Sequence, residues 1–194
     1  GLNALDAITT GDGNVAVGYQ AGTALTTGNV TAIGHRAGDG LTTGGGGVHI
    51  GYDAGRVYDT ENHNIGIGNY SLGAAIAGGE QNIAIGYQTL DALTSGDDNV
   101  AIGYQAGSAL TEGLRMTAIG KYAGLALTTA IDCTFVGETS GSAITTGRSN
   151  NAFGKAALSN TDTETHNLAV GVGALSGAIN GAEYNVAVGN YTLD

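Results

Sequence analysis

Proline and tryptophan are absent from this chain, and cysteine occurs once, at Cys133. A collagen triple helix needs glycine at every third position together with proline, so the lack of both features excludes it. A lone cysteine cannot form an intramolecular disulfide, and we expect Cys133 to be a buried, unreactive thiol. No apolar run approaches the length of a membrane-spanning helix, so membrane insertion is not expected.

Basic residues are also scarce, which argues against a nucleic-acid-binding protein. Seventeen acids against six bases give a net charge of −11. A surface that follows phosphate groups needs lysine and arginine on one face. The six bases are instead scattered along the chain: Arg36, Arg56, Arg115, Lys121, Arg148 and Lys155. The acidity is better suited to keeping a long assembly in solution.

The chain does contain a repeat that runs from end to end. A glycine preceded by a bulky apolar residue, here called the anchor glycine, recurs at a spacing of 16 to 18 residues. The anchor glycines are Gly18, Gly34, Gly51, Gly68, Gly86, Gly103, Gly120, Gly137, Gly154, Gly171 and Gly189. Residues 1–194 are therefore predicted to form a single repeat array. The array begins and ends within a repeat, so we expect it to be a fragment of a longer fibre.

The residues before each anchor glycine predict a short strand. Val-Ala-Ile and its variants place the first and third side chains on one side of the strand and the second on the other. We expect the third residue to stack from coil to coil into a buried spine. These spine residues are Val17, Ile33, Ile50, Ile67, Ile85, Ile102, Ile119, Val136, Phe153, Val170 and Val188. The alanine would then face outwards, where it either lets a neighbouring copy approach or simply fits a tight coil.

The rest of the repeat predicts turns. Asparagine four places before the anchor glycine suits a corner, and stacked asparagines can bond each other from coil to coil. A Thr-Thr-Gly sequence follows later in most units and suggests a second turn. Two short strands and two turns fit in 17 residues, whereas two helices do not. The sequence therefore predicts an all-β fold, a parallel β-solenoid or β-roll of about eleven coils.

At these residues the chain resembles two families. The pattern Asn-x-Ala-Ile-Gly-Tyr-x-Ala-Gly/Leu, followed by Leu-Thr-Thr-Gly, is similar to bacteriophage tail fibre shaft repeats, which often precede a self-cleaving chaperone domain of the endosialidase type. Asn-Val-Ala-Ile-Gly is also similar to the head repeats of trimeric autotransporter adhesins, which form left-handed β-rolls. The resemblance implies a homotrimeric fibre, outside the cell on a virion tail or surface appendage, that supports host attachment and has no active site. The chain lacks a chaperone domain, and its repeats are longer than those of the adhesins.

Surface residues give a second function class, a monomeric solenoid that binds a surface. Tyr19, Tyr52, Tyr87 and Tyr104 follow anchor glycines and should form an outward stripe, which either binds a cell-surface glycan or packs along the edge of the roll. The threonine pairs raise an ice-binding interpretation, although adjacent threonines point in opposite directions along a strand.

Catalytic and metal-binding motifs are missing, so neither an enzyme nor a cofactor is expected. Nucleophile and phosphate-loop motifs do not occur. The four histidines lack zinc-ligand spacing and are expected in solvent or in turns, with His49 meeting its own copies on a trimer axis as one untested route to a metal. Asp97-Asp98-Asn99 resembles a calcium turn but is expected to be an ordinary polar turn.

Overall fold

The computed structural model describes residues 1–56, 60–74, 78–160, 162–177, 181 and 183–193. Within these residues the chain forms strands of three residues each, one for every anchor glycine. They are β1 (Val15–Val17), β2 (Thr31–Ile33), β3 (Val48–Ile50), β4 (Ile65–Ile67), β5 (Ile83–Ile85), β6 (Val100–Ile102), β7 (Thr117–Ile119), β8 (Thr134–Val136), β9 (Asn151–Phe153), β10 (Leu168–Val170) and β11 (Val186–Val188).

The strands form one parallel sheet in which each strand pairs with the next in chain order. The register keeps equivalent repeat positions side by side, as where Ala84 pairs with Ala101 and Ile85 with Ile102. This confirms an all-β solenoid, with about ten turns of about 17 residues each. The second strand expected in each coil does not form in the described part of the chain. That side is made of turns, and one isolated bridge joins Leu114 to Ile131.

Each strand buries the side that the sequence analysis assigned to the surface and exposes the side that it assigned to the interior. The central residue is buried, with Ala84 and Ala101 at 0% exposure, while the residues on either side of it are partly exposed in nearly every strand. The predicted buried spine was therefore wrong: the residues named for it do stack from coil to coil, but they lie on the outer face of the sheet. The expectation that the alanines face outwards was wrong for the same reason.

The interior is too narrow for a second bulky side chain in each strand. It is already filled from the opposite side by large apolar residues, often seven places after the anchor glycine, of which Leu93 and Leu110 are fully buried examples. The strand can then contribute only a small side chain. Alternation along a strand shows which residues share a side but not which side faces inwards, so the available volume decides.

Two bulky residues replace the inward alanine, and glycine makes room for each of them. Phe135 is fully buried, and a Cβ on Gly141 would clash with its ring. His49 is 1% exposed, and a Cβ on Gly55 would clash with its imidazole, while Gly66 lies beside it in the next strand. The expectation that His49 lies in solvent or in a turn was wrong. His49 lies inside its own coil and cannot meet its copies on a shared axis.

The anchor glycines allow the coils to stack closely. Gly103 has a φ of 135°, which residues with a side chain rarely adopt. Its N–H donates to the carbonyl of Ile85 in the preceding coil, with N and O 2.8 Å apart. A Cβ on Gly103 would lie 2.6 Å from the carbonyl oxygen of Gly120 in the next coil. The anchor position is therefore restricted to glycine by both backbone angle and space.

The asparagines form a buried amide ladder, as expected. The side-chain oxygen of Asn64 accepts from the backbone N–H of Asn82 at 2.9 Å, and that of Asn82 accepts from the N–H of Asn99 at 3.0 Å. The side-chain amide of Asn99 also donates to the oxygen of Asn82 at 2.9 Å. At this corner the left-handed backbone angle belongs to the residue before the asparagine, such as Asp98 with a φ of 60°.

The ladder is interrupted in the middle of the array. Asn99 ends its first part by accepting from the N–H of Met116 at 3.0 Å. Met116 and Cys133 are buried in the asparagine column, and Asn150 then begins a second part that continues through Asn167 to Asn185. Val30 and Gly47 occupy the same position between Asn14 and Asn64, so four coils in all lack the side-chain amide that links their neighbours.

Two turns are stabilised by buried carboxylates that were not expected from the sequence. Glu164 is 7% exposed and accepts from the N–H groups of Asp162, Thr163 and Gly181. Burial by itself raises the pKa of Glu164, but the backbone N–H donors outweigh it and hold the pKa below its usual value. Glu61 likewise accepts from the N–H groups of Thr60 and Gly78. Each carboxylate thus joins its own turn to the next coil.

A substitution at an anchor glycine should destabilise the array. Gly103→Ala adds a Cβ against the next coil and forces alanine to a φ of 135°, so we expect a loss of about 3 kcal/mol in the free energy of unfolding. Gly13→Ala is the control, because Gly13 has a φ of 74° with no atom closer than 3.9 Å to the added Cβ. Equal losses in urea unfolding of the two variants would contradict this role for the anchor.

Stability should also fall in acid because of His49. Burial lowers the pKa of His49 from 6.5 to about 4, so the unfolded chain binds more protons between these values and stability decreases as pH falls from 6.5 to 4. The full shift corresponds to about 3 kcal/mol. His49→Ala restores the usual residue of this column and should show a pH dependence weaker by about that amount. The free energy of unfolding of both proteins is measured in urea from pH 4 to 6.5. An equal change with pH in the two proteins would contradict the assignment.

Candidate functional site: an apolar strand face and an aromatic ladder

The outer face of the sheet is rich in apolar side chains: the third residue of every strand is apolar, whereas the first residue is polar in four strands, at Thr31, Thr117, Thr134 and Asn151. We call it the strand face, and it consists of the first and third residues of β1–β11. In the inner coils Ile33 and Ile119 are each 36% exposed and Phe153 is 41% exposed. From a coil rise of about 4.8 Å and a strand of three residues, the face measures roughly 50 by 10 Å, or about 500 Å². A contiguous apolar patch of this size is typical of an interaction site.

The predicted tyrosine stripe lies beside the strand face. Tyr19, Tyr52, Tyr87 and Tyr104 are 40% to 44% exposed, which confirms that they point outwards. They are not separate, because other rings fill the gaps between them. The resulting aromatic ladder consists of Tyr19, His35, Tyr52, Tyr70, Tyr87, Tyr104 and Tyr122.

Consecutive rings in the ladder are in contact. The centroids of Tyr87 and Tyr104 lie 5.3 Å apart with planes inclined by 13°, and those of His35 and Tyr52 lie 5.0 Å apart at 10°. Tyr70 and Tyr122 are instead nearly perpendicular to neighbouring rings, at 88° to Tyr87 and 86° to Tyr104. Both offset-stacked and edge-to-face pairs are favourable, by about 0.5–1.5 kcal/mol beyond area burial.

Stacking within the ladder uses the ring faces that a sugar would need. A pyranose binds an aromatic side chain by covering its face, but Tyr87 and Tyr104 cover each other, as do His35 and Tyr52. The tyrosines thus pack on their neighbours along the edge of the roll, as the second interpretation of the stripe has it. Sequence reasoning missed His35, Tyr70 and Tyr122, although an aromatic residue one or two places after each anchor glycine was a usable signal.

Polar groups accompany the ladder. The side-chain amide of Gln105 donates to the side-chain oxygen of Gln88 at 2.8 Å, parallel to the stacked pair of tyrosines. Desolvation raises the pKa of the Tyr70 hydroxyl, and Tyr52 and Asp53 add to the rise. At the far end Lys121 lies over the ring of Tyr122, 5.0 Å from its centroid.

Beyond Tyr122 the same column becomes charged. The ammonium of Lys155 lies 3.0 Å from a carboxylate oxygen of Glu138, and this hydrogen bond holds the pKa of Glu138 below its usual value. The column is therefore aromatic in the first part of the array, charged from Lys121 to Lys155, and uncharged again at Val172 and Asn190. Elsewhere on the surface Arg115 pairs in the same way with Asp132 of the next coil.

The threonine pairs contribute to the structure through their first members. The hydroxyl of Thr111 donates to the carbonyl oxygen of Thr128 in the next coil at 3.0 Å, and Thr94 and Thr128 make equivalent bonds. A hydroxyl engaged in this way is directed along the stack. A flat, free array of threonine hydroxyls, which an ice-binding surface requires, is not formed by this column.

The described residues contain no cluster of three histidine, cysteine or acidic residues placed to hold a metal ion. His166 stacks on Tyr184, with centroids 4.7 Å apart. In the calcium-like turn, Asp97 accepts from the N–H of Glu80 at 2.9 Å, which agrees with a structural turn.

Cys133 is buried as predicted, and burial raises the pKa of its thiol to about 11. No helix among the described residues has the length and apolarity to cross a membrane.

The ladder contacts should couple neighbouring tyrosines energetically. Urea unfolding of Tyr87→Leu, Tyr104→Leu and the double variant forms a double-mutant cycle, and we expect a coupling of about 1 kcal/mol because the two rings stack. A matched cycle with Tyr19→Leu and Tyr104→Leu joins two rings that share no contact, and its coupling should be close to zero. A coupling no larger for the stacked pair than for the separated pair would contradict the ladder.

Comparisons with known proteins identify no relative. No protein-family model matches the chain, and no curated protein or solved structure matches it either. The function must therefore be argued from the fold and from the two surfaces described above.

Proposed function

We propose that this chain is a structural shaft segment of an extracellular fibre, a bacteriophage tail fibre or a similar surface appendage that supports host attachment. The observation that carries the proposal is the apolar strand face. A solenoid with valine and isoleucine on the outer side of its sheet exposes a surface that another molecule has to cover.

A second copy of the same chain is the simplest partner for this face. The face presents the same repeat positions in every coil, because the register repeats at every strand, and identical copies aligned in parallel would match it coil by coil. At about 25 cal/mol per Å² of apolar surface, covering this face would contribute at most roughly 12 kcal/mol before the entropic cost of association, since part of its 500 Å² or so is polar. Three copies around one axis would cover all three faces in a closed assembly, which agrees with the resemblance to trimeric fibres.

The remaining features suit a mechanical role. Ladders of backbone, amide and hydroxyl hydrogen bonds run parallel to the long axis. The strands continue for roughly 50 Å at about 4.8 Å per coil. The net charge of −11 opposes side-by-side aggregation of completed fibres. We therefore propose that the segment is a spacer that separates an anchoring end from a receptor-binding end.

The alternative is a monomeric solenoid that binds a surface, either ice or a cell-surface glycan. It is less well supported by the described contacts. The threonine hydroxyls of one column bond to the next coil, and the tyrosine ring faces are covered by neighbouring rings.

Light scattering of the purified chain at low concentration tests the trimer. We expect a mass three times 19.1 kDa. The variant Ile85→Glu with Ile102→Glu places two carboxylates at the centre of the strand face and should reduce the mass to that of a monomer, because charges are costly to bury without partners.

The matched control is Thr129→Glu with Thr146→Glu. It adds the same two charges in the Thr-Thr turns, in the other half of the coil, and should leave the trimer intact. A monomeric mass for the unmodified chain would contradict the proposal and favour the monomeric alternative. Dissociation by the control variant alone would place the contact between copies on the turns.

A further inference from the structure

We propose that three polar residues of the strand face select a parallel orientation of neighbouring copies and exclude the antiparallel one. The residues are Thr117, Thr134 and Asn151, the first residues of β7, β8 and β9, and we call them the polar row. The inference rests on the proposed function, because it concerns copies of the chain that meet at this face.

The polar row interrupts a column that is apolar on both sides of it. The first residues of β3–β6 are valine or isoleucine, and those of β10 and β11 are leucine and valine. The three polar side chains are half-buried on the outer side of the sheet. Within the described part of the chain, none of them takes part in a hydrogen bond. Two hydroxyl groups and one amide are therefore available to a partner.

An antiparallel arrangement would leave the polar row without partners. Copies that overlap along the whole array in opposite directions are related about β6, so β7, β8 and β9 of one copy lie opposite β5, β4 and β3 of the other. The first and third residues of those strands are all apolar: Val48, Ile50, Ile65, Ile67, Ile83 and Ile85. Each copy would bury two hydroxyls and an amide against hydrocarbon, and a buried polar group without a partner is destabilising.

Sliding one antiparallel copy along the other does not remove this cost. The two polar rows meet only when β8 of one copy lies opposite β8 of the other. The strand β5 then lies opposite β11, so only β5–β11 of each copy remain in contact. The mostly apolar outer residues of β1–β4 return to solvent, and the association loses the burial that drives it.

A parallel arrangement avoids both costs. In a closed assembly whose rotation axis runs along the fibre, each coil lies at the height of the same coil in its neighbour. The polar rows of all copies then occupy the same three coils, and the apolar strands face one another along the rest of the array. Hydroxyl and amide groups both donate and accept, so the rows can bond each other directly or through shared water. A single polar position in an apolar seam fixes the register of coiled coils in a similar way.

Distances between spin labels, measured by pulsed electron paramagnetic resonance, report the orientation. Val15→Cys places a label on β1, where the residue is 47% exposed, and the buried Cys133 stays unlabelled. Parallel copies bring the labels to the same height, so only the lateral separation of the chains remains. Antiparallel copies that overlap fully place β1 opposite β11, which adds an axial offset of roughly 48 Å at about 4.8 Å per coil. We expect the short distance alone.

Removal of the polar row should remove the selection. In the labelled chain, Thr117→Val, Thr134→Val and Asn151→Leu together make the column apolar throughout, and the long distance should then appear beside the short one. Asn151→Leu alone replaces this triple variant if circular dichroism shows that the triple variant does not fold. The matched control is Thr129→Val with Thr146→Val, which removes two hydroxyls from the turns and should give the short distance alone.

Light scattering of the same labelled samples separates the two possible failures. A monomeric mass would overturn the proposed function and this inference with it. An assembled chain that shows the long distance before the polar row is removed would overturn this inference alone. An assembled triple variant that keeps only the short distance would also overturn it, because the orientation would then be set by other residues.

Discussion

The structure depends on the backbone hydrogen bonds between coils, which require consecutive coils to lie in register about 4.8 Å apart. The anchor glycine permits this approach, since a Cβ at Gly103 would meet the carbonyl of Gly120. Once the coils are held at this distance, every repeat position becomes a column parallel to the axis. Asparagines, threonines, tyrosines and isoleucines therefore each contact their own equivalents, and each type of side chain forms a ladder of its own.

The width of a 17-residue coil accounts for the chemistry of its surface. A leucine column, with residues such as Leu93 and Leu110, together with small inward residues fills the interior. The β-branched residues that favour a strand are then left on its outer side. The chain therefore gains strand propensity from these residues but leaves them partly exposed on its outer face. The narrow interior of a 17-residue coil thus accounts both for the small core and for the apolar side chains on the outer face of the sheet.

The sequence predicted the period, the strands, the parallel solenoid and the stacked asparagines because each follows from local periodicity or turn chemistry. It did not predict which side of the strand is buried, because alternation is symmetric and only the interior volume distinguishes the sides. The sizes of the strand residues do distinguish the buried side from the exposed side. The residue two places before the anchor is small except at His49 and Phe135, and each of these lies against a glycine. In the same way, the ladder through Tyr70 and Tyr122 depends on side chains that reach across from a neighbouring repeat position.

The interrupted amide ladder has a consequence for how the array responds to salt. From Asn64 to Asn99, and again from Asn150 to Asn185, adjacent coils share side-chain bonds as well as backbone bonds. Around Met116 and Cys133 these amide bonds are absent, and the same coils are joined by backbone bonds, such as that from Thr117 to Cys133, and by the bidentate surface pair of Arg115 with Asp132. Neighbouring coils are therefore linked by buried amides in one part of the array and by an exposed ion pair in another. Because salt screens an exposed ion pair far more than a buried amide bond, the links between coils differ along the array in their sensitivity to ionic strength.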